Sequence, residues 1–90
     1  MAQNRWQLSP RARLQADAQG GALFDTWQAE LSHCNGSAWT LLECLRDGAD
    51  EAELVQALTA RYQVQQAEAR KDVQRIVGQL RTRGLLENAD

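Results

Sequence analysis

A chain of 90 residues, 43% hydrophobic and 24% charged, has room for one modest core and no second domain. Its formal charge of −2 argues against a dedicated nucleic-acid binder, which carries a basic excess. No apolar run approaches the roughly 18 residues that cross a bilayer. The opening "MAQNRWQLSPRAR" lacks the apolar stretch of a secretory signal, so the expected location is the cytoplasm.

The first third of the chain reads as β-structure. Trp6 and Leu8 alternate with polar residues and extend a first strand past Pro10. In "RARLQAD", Arg11 to Asp17, Leu14 and Ala16 alternate with polar neighbours, the period of a half-buried strand. Gly20-Gly21 is a turn signal. "ALFDTW", Ala22 to Trp27, holds the strand-favouring Phe24, Thr26 and Trp27. "QAELSHC", Gln28 to Cys34, alternates again, with Ala29, Leu31 and His33 on one face and Glu30, Ser32 and Cys34 on the other. No glycine or proline marks the turn between these last two runs. The simplest reading is a three-stranded antiparallel meander.

The rest reads as three helices. Asn35-Gly36 bends the chain, Ser37 is the expected N-cap, and Trp39, Leu42 and Leu45 recur at helical spacing. Asp47-Gly48 ends that helix. Asp50 caps the next, with Glu51 and Glu53 suiting its positive N-terminal end and Leu54, Val55 and Leu58 on its apolar face. Tyr62 is expected to fold back onto the core. "QVQQ" is a break, and the third helix runs from about Ala67 to Arg83, stopped by Gly84. On that helix Ala69, Val73, Val77 and Leu80 share the core face. Asp72, Ile76, Gln79 and Arg83 form one flank; Arg70, Gln74 and Arg81 form the other. The whole is an α+β chain, winged helix-turn-helix-like, with a three-stranded antiparallel sheet followed by three helices.

Residues that carry chemistry are scarce. There is one histidine, His33, and two cysteines, Cys34 and Cys44. Neighbours on a strand diverge, so His33 and Cys34 do not make a thiolate–imidazole pair. Cys44 lies on an apolar helical stripe and reads as a small core residue. A structural zinc site needs four ligands at paired spacing, and a phosphate loop needs a helix directly after its glycines; the chain offers neither. No catalytic residue, metal ligand or cofactor site is expected.

Asn35-Gly36-Ser37-Ala38, Trp39 with Leu41-Leu42, and Asp47-Gly48 come in that order. "EAELVQALTARYQV", "EARKDV" and the closing "LRTRGLL" follow. This succession resembles the PqqD family, the small proteins of pyrroloquinoline quinone (PQQ) biosynthesis. The wider group is the RiPP recognition elements, which serve ribosomally made, modified peptides. The resemblance covers about residues 8 to 87 of a single domain spanning 1–90, and its specificity lies in the order of the pieces. It implies a non-catalytic peptide chaperone in natural product biosynthesis. Such a domain binds the leader of a precursor peptide as an added strand. The leader runs along the third strand and against the third helix, and is presented to a modifying enzyme such as a radical S-adenosylmethionine (SAM) protein or a leader peptidase. Carried onto this chain, the expected peptide-binding residues are Ala29, Glu30, Leu31, Ser32, His33 and Cys34, with Asp72, Ile76, Gln79, Leu80 and Arg83.

The residues alone point the same way less sharply. An open meander offers unpaired edge N–H and C=O groups, which β-augmentation uses for affinity while side-chain pockets give specificity. An open edge also pairs with a second copy, so a homodimer is among the states the sequence allows. The alternative is a winged-helix DNA-binding protein. The third helix carries Arg70, Lys71, Arg75, Arg81 and Arg83 against Glu68 and Asp72, but these cations are scattered round its circumference. An adaptor subunit with no peptide substrate is the remaining reading.

Overall fold

A computed structural model describes residues 4–34 and 36–89. In chain order the elements are β1 (Arg5–Leu8), β2 (Ala12–Asp17), β3 (Gly20–Asp25), β4 (Glu30–Cys34), α1 (Gly36–Asp47), β5 (Ala49–Asp50), α2 (Glu51–Arg61), α3 (Gln66–Thr82) and β6 (Leu86–Asn88). They form two antiparallel three-stranded sheets, ordered β2-β3-β4 and β5-β1-β6, around three helices.

The meander is present, with shifted boundaries. β3 begins at Gly20, so the hairpin turn falls on Ala18-Gln19, two residues before the glycine pair would put it. Gly21 then lies inside the strand, directly beneath the Trp39 ring, and a Cβ there would also sit 2.6 Å from the Gln15 carbonyl. The glycine is needed for close approach of an indole and not for a turn. The next turn spans residues 26–29, so Ala29 belongs to the turn and not to the strand that follows. The buried Asp25 fixes it. Its carboxylate accepts hydrogen bonds from the backbone N–H of Trp27 (3.0 Å) and of Gln28 (3.4 Å), an Asx turn that needs no glycine or proline. Ala29 takes the left-handed conformation (φ 55°) that closes it.

Trp6 and Leu8 do not extend the first strand of the meander. β1 is a separate strand at the centre of the second sheet, paired through Arg5↔Asp50 and Trp6↔Ala49 on one side and Trp6↔Asn88 to Leu8↔Leu86 on the other. Pro10 and the Ser9 N–H to Leu85 carbonyl bond (2.8 Å) separate the two sheets.

The helices match their periodicity. On α3, Ala69, Val73, Val77 and Leu80 are buried. Its end is a Schellman turn: Leu85 N–H reaches the Leu80 carbonyl (2.9 Å) around Gly84 at φ 72°. Asp50 and Glu53 form a complete capping box at the start of α2. Ser37 lies inside the first turn of α1 and is not its cap; Asn35, the other half of the expected bend, lies outside the described residues. Tyr62 reaches back only with its hydroxyl, 2.9 Å from Thr40 Oγ1, and its ring stays partly exposed. One core joins Leu23 of the sheet to Trp39, Leu41, Leu42 and Leu45 of α1, Leu54 and Leu58 of α2, the α3 stripe and Leu85.

Candidate functional site

The sheet register sorts the side chains of β4. Leu31 pairs with Phe24 and His33 with Ala22, all on the outer face. Glu30, Ser32 and Cys34 pair with the buried Asp25, Leu23 and Gly21, on the face turned toward the helices. His33 and Cys34 therefore diverge.

β4 is an edge strand, bonded only to β3. Its free side is also uncovered. Three residues of β3 are buried, but none of β4 is, and Leu31 is 60% exposed. Even the inward-facing Ser32 and Cys34 are only half-buried, so the helix layer stops short of this strand.

The two flanks of α3 differ in what occupies them. Gln74 donates to Glu51 of α2 (3.2 Å). Arg70 and Gln74 line an open cleft of about 1150 Å³ with Trp6, Glu51 and Val55, and Arg81 borders β1 and β6. That flank thus faces α2 and the second sheet. The remaining flank carries Asp72, Ile76, Gln79 and Arg83. Ile76 is half-buried against the core, Gln79 is exposed, and Asp72 lies 3.7 Å from Arg75 in an exposed helical ion pair. Leu80 is buried in the core and offers little surface of its own. The Arg83 charge is near enough to act on Cys34 at the end of β4. Burial pushes the Cys34 thiol up, and the nearby Arg83 guanidinium pulls it partly back.

The 1150 Å³ cleft has no strand edge to offer. Its strand neighbour, β1, is paired on both sides. Backbone pairing with a peptide is available at β4 and not there.

A second arrangement, unforeseen in the sequence, holds this end of the molecule together. Arg11 sits between Asp25 and α3. Its Nε is 3.4 Å from an Asp25 carboxylate oxygen, and its Nη2 donates to the Arg83 carbonyl (2.7 Å). The Trp27 indole, 78% exposed, stacks over the same guanidinium at 4.6 Å. The only sequence signal for this was a lone arginine at a strand start and an aspartate at a strand end.

Among the described residues no group of three His, Cys, Asp or Glu side chains is placed to hold a metal ion, and no helix is long and apolar enough to cross a membrane. Arg70 lines the cleft, Arg81 borders the second sheet, Arg75 pairs with Asp72 and Arg83 acts on Cys34, so these four cations do not form one exposed face.

The family model for coenzyme PQQ synthesis protein D (PqqD) matches residues 22–86. Among solved structures, a lasso peptide synthetase B1 complexed with the leader peptide superposes with a TM-score of 0.78 at 27% identity, covering 91% of this chain and 96% of that one. TbiB1 in complex with the TbiA(beta) leader peptide superposes with a TM-score of 0.81 at 18% identity, over 90% and 94% of the two chains, a likeness of fold. No curated protein sequence matches the chain.

Proposed function

Because the chain belongs to the PqqD family, we propose that it is a recognition element that binds the leader of a ribosomally made precursor peptide by adding it as a fourth strand to β4. The observation that carries this reading is the edge strand β4, paired on one side only and with none of its residues buried. Lasso peptide synthetase B1, whose structure was solved with a leader peptide, supports it at 27% identity.

In this reading the backbone of β4 supplies affinity through its unpaired N–H and C=O groups. Glu30 to Cys34 sort alternate side chains of the leader, and Ala29 marks where the added strand must leave. Ile76 forms the apolar floor. Asp72, Gln79 and Arg83 are polar anchors on the rim, and Leu80 backs the floor from within the core. The domain acts as one unit and does no bond chemistry of its own. It hands the leader to a partner, a radical SAM enzyme or a leader peptidase.

The test is calorimetric titration of the purified protein with the synthetic leader of a precursor encoded beside its gene. Saturable one-to-one binding is expected, and Ile76→Asp should abolish it while circular dichroism shows a folded chain. Unchanged affinity in a folded Ile76→Asp variant would remove α3 from the groove.

A further inference from the structure

Arg83 is the odd residue of the groove. Its Nη2 is buried and has no hydrogen-bond partner, and among the described residues its guanidinium forms no ion pair. A buried guanidinium nitrogen without an acceptor is costly, and native structures rarely leave one so. Its backbone, by contrast, is held firmly. Its N–H donates to the Gln79 carbonyl (3.1 Å), and its carbonyl accepts from Arg11, itself neutralised by the buried Asp25. The fold thus ties the stem of a cation to the Arg11–Asp25 pair, lets its charge reach Cys34, and leaves the head unmatched. At the opposite end of the same inward face stands the exposed carboxylate of Glu30.

Resting on the reading of β4 and α3 as a peptide groove, we propose that Arg83 is a specificity residue that selects peptides carrying an aspartate or glutamate where the added strand passes Cys34. Residues directly opposite across a ladder share a face, so that acidic side chain lies opposite Cys34 and points toward the helices. The planar fork of the guanidinium takes a carboxylate through paired charge-assisted hydrogen bonds and supplies the acceptor Nη2 lacks. The peptide residues two and four positions further along meet Ser32 and Glu30. Glu30 repels an acid at that far end, so the two charges also fix which way the strand slides into register.

The experiment selects a phage-displayed library of random dodecapeptides against the full chain. It then measures the affinity of one selected peptide and of its acid-to-amide analogue for the wild type and for Arg83→Gln. Enrichment of Asp or Glu at one position is expected. Amidating that residue should weaken binding to wild type about tenfold to a hundredfold, the range of a charged hydrogen bond. The same amidation should leave binding to Arg83→Gln unchanged. Selection against Arg83→Glu should enrich Lys or Arg at the same position. The amide analogue needs no change in the protein, so it decides the matter even if the variants fold poorly. Peptides whose amide perturbations map to β4 and α3 but show no preference for an acid would overturn the role of Arg83 alone. Perturbations elsewhere, or no selected binder, would overturn the groove as well.

Discussion

Asp25 does more than any other single side chain at this end of the molecule. It is buried, it caps the turn at residues 26–29, and it neutralises Arg11. Asp25→Ala leaves the Arg11 charge with no buried partner and the turn N–H groups without an acceptor. Urea denaturation is expected to show a loss of about 3–5 kcal/mol, the range for breaking one half of a buried pair. Ala29 works in the other direction. It is exposed and holds a left-handed conformation that costs an L-residue roughly 1–2 kcal/mol. Ala29→Gly should therefore stabilise the fold, by about 0.5–1 kcal/mol after the added freedom of the unfolded chain is counted. Gly21→Ala, by contrast, drives a methyl group into the Trp39 ring. A loss of about 1–3 kcal/mol is expected, with a shift of the Trp39 indole resonance.

At the scale of elements, α2 and α3 were legible because their signals are local. The Asp50 capping box is written in four consecutive residues, and replacing Asp50 by alanine should cost about 0.5–2 kcal/mol in the same denaturation assay. The α3 stripe repeats at helical spacing through four buried positions, and its two flanks followed at once from rotation about the axis. The alternation of β4 was also readable, and the register bears it out from Glu30 to Cys34. The second sheet was not readable. β5 has two residues and β6 three, too short for any periodicity, and their partner β1 is joined to them only through contacts distant in sequence. The turn at 26–29 was missed for a related reason: its signal is one aspartate whose role depends on burial. What neither pattern nor spacing carried was Arg11, which links a strand start to a helix end 72 residues away.

The molecule as a whole is a small core that one sheet roofs incompletely. Leu23 closes the centre of the meander, but β4 is less covered than β3, which leaves a backbone edge and a strip of half-buried side chains. The thiol of Cys34 borders that strip, and burial raises both it and Cys44 above the ordinary cysteine range. A folded-state value above the unfolded one means the contribution of these thiols to stability is complete below the unfolded value, about 8.5. It is lost as pH rises through the folded values. Stability should therefore fall more steeply above about pH 9 in the wild type than in a Cys34→Ser, Cys44→Ser variant.

Strand addition at β4 is the claim on which the functional account rests. It is tested most directly by nuclear Overhauser contacts between a bound leader peptide and the labelled protein. The account predicts interstrand contacts from the peptide backbone to alternate residues of Glu30 to Cys34, with side-chain contacts to Ile76. A peptide that binds with no backbone contact to β4, whether as a helix or in the cleft between β1, α2 and α3, would contradict it.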